Sequence, residues 1–351
     1  MTVLVGGRPV ANGTRPLLIA EAGVNHNGQL NLALALVDAA AEAGADAIKF
    51  QSFRADALAV RDAPTPRYQR ERGGMQNQHA MLAALELGGE ALRAVASRAR
   101  EHGLLFLSTP FDVRSLAELV DIGVPAIKIG SGDMTNLPLL RSAAATGLPL
   151  LLSTGMATLS EVETVLAAIP SESMVLLHCT SAYPAAMEDV NLRAMETLRA
   201  RFGHPVGYSD HTEGITASVA ATTLGAAVIE KHFTISRRLP GPDHAVSLEP
   251  AELKELVEAV RHVGLALGDG VKAPRAAEEE LRSIARRSLV AARDLPAGHQ
   301  LRSEDIDAKR PGVGISLLEI DRVVGCILRT PIVGDQLLTE DLLQPPDESL
   351  R

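Results

Sequence analysis

Residues 206–248 read VGYSDHTEGITASVAATTLGAAVIEKHFTISRRLPGPDHAVSL, and the fold is decided here. Two short apolar segments, Pro205 to Tyr208 and Ala226 to Ile229, each end abruptly in polar residues: Ser209, Asp210 and His211 after the first, Glu230, Lys231 and His232 after the second. Between them Ile215 to Leu224 reads as a helix. Strand, polar tip, helix, strand and polar tip make a βαβ unit, and parallel α/β folds carry their chemistry at the carboxyl edge of the strands. Two imidazoles presented on that edge by neighbouring strands can share a divalent cation, with Asp210, Glu230 or Asp243 as further oxygen donors. The alternative is that each histidine caps its strand and bonds a loop carbonyl.

Outward from this stretch the same alternation covers most of the chain. Strand-like runs fall at Leu17 to Glu21, Ala47 to Gln51, Leu104 to Ser108, Ala126 to Ile129, Leu150 to Ser153 and Val175 to His178, ahead of the two already described. Helical patterns separate them, and a last one, Glu252 to Leu267, follows the eighth run. Eight β-then-α repeats predict a closed (β/α)8 TIM barrel, since a doubly wound open sheet needs fewer. Thr2 to Val10, centred on Gly6-Gly7, predicts a hairpin placed to plug the barrel's bottom. The long connection Ser52 to Gly74 is either a lid or binding loop or a disordered insertion.

After Leu267 the texture changes. Gly268 to Ala276 is a charged, Gly/Pro-containing linker, and from Arg287 onward the pattern is short strands and turns. Two pieces there, SLVAARDLPAGHQLRSEDI and VGCILRTPIVGDQLLTEDLL, form a weak internal repeat, the mark of a pseudo-symmetric small domain. The domain reading is a barrel over 1–267, a linker over 268–284 and a small, mainly-β domain over 285–351.

Composition narrows the function. The apolar fraction of 46% comes from aliphatic residues, with 3% aromatic and no Trp, which suits aliphatic layers of strands and helices. A net charge of −9 argues against nucleic-acid or anionic-membrane partners, because those require a basic face. Cys179 and Cys326 lie far apart without metal-ligand spacing and read as free thiols of a reducing, cytoplasmic compartment. No leader-like or membrane-spanning run is present, since charges interrupt every long apolar stretch.

The residues at the strand ends form a non-random set. Strand one ends in Glu21, strand two in Lys49 and Gln51, strand three in Ser108 and Thr109, and strand four in Lys128 and the Ser131-Gly132-Asp133 turn. Strand five gives Ser153-Thr154-Gly155, and strand six His178, Thr180, Ser181 and Tyr183. Small hydroxyl residues beside glycine let backbone amides approach a phosphate, and two lysines on the rim neutralise it. A phosphorylated or doubly anionic substrate follows. Taken singly, each lysine is as well explained by an aliphatic stem lying along the surface.

In this order, the motifs IAEAGVNHNG, IKFQ, STPFD, IKIGSGD, LSTGM, HCTSAYP, SDHT, EKHF and GPDH span nearly the whole chain and resemble the sialic acid synthase family. Its members condense phosphoenolpyruvate with an N-acetylated mannosamine-type sugar, and KRPGVGI resembles the antifreeze-like (SAF) domain that follows the barrel in this family. The resemblance implies that Lys49, Thr109, Lys128, Ser131, Ser153 and Ser209 hold phosphoenolpyruvate with Gln51 near it. It implies His211 and His232 as ligands of Mn²⁺ or Mg²⁺ and Glu21 as the acid/base residue. Tyr183, Asp133 and Asp243 would touch the sugar, with Arg310 reaching it from the other subunit of a domain-swapped homodimer.

Two departures bear on the sugar. Neuraminate synthases of the family read Ser-Gly-Glu where this chain has Ser131-Gly132-Asp133, and Asn where it has Ser181. These departures change the contacts to the sugar hydroxyls and leave its identity open. GPDH, which legionaminate synthases share and the pseudaminic branch usually lacks, implies a product of neuraminate or legionaminate type, from N-acetylmannosamine or a 2,4-diacetamido-2,4,6-trideoxy-mannose-type sugar. Two alternatives stand beside it. One is another phosphoenolpyruvate-dependent 3-deoxy keto-acid synthase acting on a phosphorylated aldose; the other is a catalytically dead barrel serving as a carbohydrate- or partner-binding scaffold.

Overall fold

Each of the eight apolar runs becomes a strand of one parallel sheet. In the computed structural model, which describes residues 1–65, 77–169 and 173–345, these strands are β3 (Leu17–Gly23), β4 (Ala47–Ser52), β5 (Leu105–Pro110), β6 (Ile127–Ile129), β7 (Leu150–Ser153), β8 (Met174–His178), β9 (Val206–Asp210) and β10 (Val228–His232). Their order is β5-β4-β3-β10-β9-β8-β7-β6, with every paired neighbour parallel. The first barrel strand thus pairs with the last, and β5 and β6 lie side by side to close the cylinder. β1 (Val3–Val5) and β2 (Arg8–Val10) form the antiparallel hairpin that precedes it. Gly6 and Gly7 both have positive φ, as a two-residue turn matched to strand twist requires.

The period-2 rule sorts the strand residues into two layers. Leu18, Ala20, Ile48, Phe50, Ile127, Leu152, Leu176, Tyr208 and Ile229 face outward and are buried under helices such as Leu30–Ala43, Val113–Ile122 and Pro250–Leu267. Ile19, Ala47, Leu107, Ala126, Leu151, Leu177 and Val228 face inward and pack with Val3, Val5 and Val10 of the hairpin, which plugs the barrel bottom as the sequence predicts. Moving two residues toward the carboxyl end on these strands replaces the apolar layer by Glu21, Lys49, Thr109, Lys128, Ser153, Cys179 and Glu230. The barrel is greasy below and charged above, and that switch places the site.

β9 runs two residues and β10 three past their apolar segments. The polar residues continue the ladder, with Lys231 opposite Asp210 and His232 opposite Glu21. The connection after β4 is described to residue 65 and holds a helical turn, Ala55–Leu58. The rest of it, 66–74, lies outside the described residues.

The chain divides into Met1–Gly268 and Asp269–Arg351. Part of the segment read as a linker folds within the second unit: Glu279–Ala285 is helical, and the Ser283 carbonyl accepts the Gly312 amide at 2.8 Å. The repeat forms two antiparallel pairs, β11 (Ser288–Ala291) with β12 (Ile306–Lys309) and β13 (Ile327–Leu328) with β14 (Leu343–Gln344). Leu295 of the first half and Ile332 of the second exchange backbone hydrogen bonds at 3.0 and 2.9 Å, giving one shared core with Leu289, Leu301, Leu328 and Leu338. Both cysteines are free and buried, as expected from their spacing.

Candidate active site

At the upper layer of the barrel, two lysines and two glutamates share a nearly dry space. Lys49, Lys128, Glu21 and Glu230 are all buried. Lys49 is in direct contact with the Glu21 carboxylate and lies 3.8 Å from Glu230, while Lys128 lies 3.6 Å from Glu230. Each ammonium also donates to a hydroxyl of an adjoining strand end, Lys49 to Thr109 at 3.2 Å and Lys128 to Ser153 at 2.7 Å. Ser209 donates to Glu230 at 2.8 Å.

The two carboxylates differ in charge. Burial alone would raise Glu230, but Lys128, Lys49 and the Ser209 hydroxyl outweigh it and hold its pKa at about 2. Burial pushes Glu21 up to about 7 against the pull of Lys49, and the negative charge on Glu230 adds to the rise. Burial likewise disfavours the charged form of Lys49, yet Glu21 and Glu230 hold it above the ordinary lysine value. Lys128 is lowered, because burial and the repulsion of Lys49 prevail over the carboxylates. One carboxylate is thus a fixed counter-charge and the other is poised to exchange a proton near neutrality.

Near Lys128, three small polar side chains close on Gly155. The Gly155 amide donates to Ser131 Oγ at 3.1 Å, and Ser131 Oγ lies 3.0 Å from Cys179 Sγ. A Cβ at Gly155 would meet Ser181 Oγ, Cys179 Sγ and Ser131 Oγ at 2.5–2.7 Å, so only glycine fits among these three groups. Ser181 Oγ is buried without a hydrogen-bond partner among the described residues.

The histidine pair stands on the same rim. The His211 and His232 ring centroids are 5.6 Å apart, and the Tyr183 ring lies 4.3 Å from His211 and 6.0 Å from His232. His211 Nδ1 pairs with the Thr180 carbonyl at 2.7 Å, so Nδ1 carries the proton and Nε2 keeps a free lone pair. His232 Nδ1 is buried with no hydrogen-bond partner among the described residues. Burial lowers the pKa of both, His232 well below the usual value with His211 adding to the effect, so both imidazoles are neutral donors. Among the described residues no group of three or more His, Cys, Asp or Glu side chains converges on a metal-sized point. Two neutral imidazoles, one with an orphaned buried nitrogen, fit a divalent ion that completes its shell with water and substrate.

Of the oxygen donors suggested by the sequence, Asp210 and Glu230 are committed elsewhere. Asp210 faces away from the barrel interior and pairs with Lys231, and Glu230 serves the lysines. Asp243 lines a cavity of about 150 Å³ with Gln51, Tyr183, His232, Met81 and Leu85. Gln51 is 3.4 Å from Glu21. Asp133, half-buried in the turn Ser131–Asp133 after β6, accepts from Asn136 at 2.9 Å and is raised by burial. Arg310 is exposed in the second unit, on a loop stapled where Ser288 Oγ donates to the Pro311 carbonyl at 2.7 Å and accepts the Gly314 amide at 2.9 Å.

The role of Glu230 between the lysines and the place of Cys179 are not in the sequence-derived site. The signal was available: both follow an inward apolar residue by two positions, Val228 and Leu177, as Lys49 and Lys128 follow Ala47 and Ala126. The histidine of GPDH and the asparagines of NHNG serve a different end. His244 pairs with Thr234 at 2.6 Å and Asn27 at 3.2 Å, and Asn25 donates to the Phe233 carbonyl at 2.8 Å, latching the loop after β3 to the loop after β10.

A TIM-type barrel with a buried lysine pair, a glutamate raised toward neutrality and two neutral histidines on its upper rim has the make-up of an enzyme's active site. Comparison makes it specific. The NeuB family model matches residues 36–272 and the SAF domain model residues 286–344. The N,N'-diacetyllegionaminic acid synthase of Legionella pneumophila is 44% identical over 96% of this chain and 99% of its own, and that of Campylobacter jejuni 42% identical over 93% and 99%. The crystal structure of N-acetylneuraminic acid synthetase from Leptospira borgpetersenii, in complex with citrate, superposes with a TM-score of 0.71 at 38% identity, covering 80% of this chain and 95% of that one. The chain belongs to the NeuB family and is an enzyme of the sialic acid synthase type, with a SAF domain after its barrel. Among the described residues no helix is long and apolar enough to cross a membrane.

Proposed function

We propose that this enzyme condenses phosphoenolpyruvate with a 2,4-diacetamido-2,4,6-trideoxy-mannose-type sugar, or with N-acetylmannosamine, releasing phosphate and a nonulosonic acid. The observation that carries the reading is the buried Lys49–Lys128 pair beside the His211–His232 pair. Lys49, Lys128, Thr109, Ser153, Ser209, Ser131 and the Gly155 amide would bind the carboxylate and phosphate of phosphoenolpyruvate, with Gln51 alongside. His211 and His232 would hold Mn²⁺ or Mg²⁺, and the chemistry such an ion would supply there is Lewis acidity toward the aldehyde of the open-chain sugar. The enol carbon of phosphoenolpyruvate would bond to that aldehyde carbon and water would add at C2. Glu21 would take one proton of that water and return it to the alkoxide formed from the aldehyde, and the C2 hydroxyl would give up its proton as phosphate leaves, which carries it away and leaves the C2 ketone.

The cavity bearing Asp243 and Tyr183 has an apolar wall of Val24, Met81, Leu82 and Leu85. Such a wall suits acetyl methyls and a 6-deoxy carbon better than a sugar phosphate, which would need cations there. The two legionaminate-synthase relatives support the diacetamido sugar. The test is phosphate release from phosphoenolpyruvate with Mn²⁺ and each of three aldoses: the diacetamido sugar, N-acetylmannosamine and arabinose 5-phosphate. The first is expected to be used best. Turnover with arabinose 5-phosphate alone would replace the reading by a 3-deoxy sugar-phosphate synthase, and none with any aldose would favour a scaffold.

Two predictions belong to this reading. Gly155→Ala places a methyl among Ser131, Cys179 and Ser181 and is expected to weaken phosphoenolpyruvate binding by about tenfold or more, as measured by calorimetry. Unchanged affinity would remove this cluster from the anion site. For Arg310 we propose that it completes the sugar site of the partner in a symmetric dimer, its guanidinium carried on the stapled Pro-Gly-Val-Gly loop. Co-expression of Glu21→Gln with Arg310→Ala, each nearly inactive alone, would then yield mixed dimers with one intact site and restore about 25% of wild-type activity. If Arg310 serves its own barrel, every site carries a defect and nothing is restored.

A further inference from the structure

One buried ion pair beside the site takes no part in the proposed chemistry. Ser209 and Glu230 face the barrel interior; the next residues, Asp210 and Lys231, lie opposite one another in the β9–β10 ladder and face outward, with side chains 0% and 1% exposed. The residues after those are His211 and His232. The pair is 3.0 Å apart, and both members grip Thr212. Asp210 Oδ1 accepts the Thr212 amide and hydroxyl, each at 2.8 Å, Lys231 Nζ donates to the Thr212 carbonyl at 2.6 Å, and Asp210 Oδ2 accepts the Ser218 hydroxyl at 2.6 Å. Thr212 in turn bridges to Ala185, whose amide donates to the His211 carbonyl at 2.8 Å, two residues beyond the ring of Tyr183.

A buried charge pair gains little stability over apolar residues of the same size, so its presence calls for another account. Here it ties the backbone on both sides of His211 to the residue preceding His232. We propose that Asp210 and Lys231 are positioning residues, a clamp that fixes the ring orientation of His211 and its separation from His232. The consequence for catalysis rests on the reading that these histidines hold the divalent ion, since outer partners of metal-binding histidines shift affinity by about 10–100-fold.

The test is the double variant Asp210→Leu with Lys231→Met, which removes both charges at similar volume. With selective ¹⁵N-histidine labelling, wild-type His211 should show one neutral tautomer, protonated at Nδ1, and the folded variant a mixture of both. Calorimetry without substrates should show Mn²⁺ affinity lowered about tenfold or more. Phosphoenolpyruvate affinity, set by Lys49 and Lys128, should move by less than about twofold. An unchanged His211 tautomer in the folded variant overturns the clamp, whatever the metal does. A changed tautomer with unchanged Mn²⁺ affinity keeps the clamp and instead removes the metal from these histidines. If the double variant does not fold, the isosteric Asp210→Asn decides by the same spectrum, an unaltered tautomer again overturning the proposal.

Discussion

Alanine at either His211 or His232 is expected to lower turnover by about 10³-fold, and EDTA should do the same to the wild type, reversed by adding Mn²⁺ or Mg²⁺. The size follows from the number of protein donors. With only two imidazoles, loss of one leaves a single nitrogen, which cannot hold an ion against water. Neither ring needs to lose a proton first, because burial keeps both neutral and the Thr180 carbonyl fixes the His211 tautomer. The chelated wild type should regain full rate at modest metal concentration and the variants should not. Melting temperatures within a few degrees of wild type would separate this loss from unfolding. Full activity in metal-free buffer after chelation would sink the metal assignment.

The strand ends, where apolar runs stop and polar residues begin, made the barrel and most of its site readable in the sequence. Period 2 does the rest: once Ala47 and Ala126 face inward, Lys49 and Lys128 must also, and the pair at the mouth follows. What a one-dimensional reading misses is which polar residue answers which. Asp210, Glu230 and Asp243 are equal candidates as oxygen donors in sequence, but Asp210 and Glu230 sit on opposite faces of adjoining strands and answer different lysines, Lys231 outside and Lys49 with Lys128 inside. A register of one residue decides that, and register is a property of the paired sheet. The asparagines of NHNG and the histidine of GPDH show the converse. Their motifs carry the resemblance strongly, yet His244 is used to fasten two loops.

Glu21→Gln is expected to lower kcat by about 10²-fold or more at pH 8 while leaving KM for phosphoenolpyruvate nearly unchanged. Gln keeps the shape and can still accept from Lys49, so the anion site survives, but it cannot take the proton of the water that adds at C2. The pH dependence makes the test specific. Burial holds the Glu21 carboxyl at about 7, so in the free enzyme the base is mostly protonated below that value and ionised above it. Between pH 6 and 7 wild-type kcat/KM should therefore rise with the loss of one proton and level off above 7. The phosphate of phosphoenolpyruvate titrates too, at about 6, and contributes its own acid limb in both enzymes. Below pH 6 the wild type should lose activity with two protons and the variant with one. A variant that keeps the two-proton limb, or turns over near the wild-type rate, would show that a different group manages this proton.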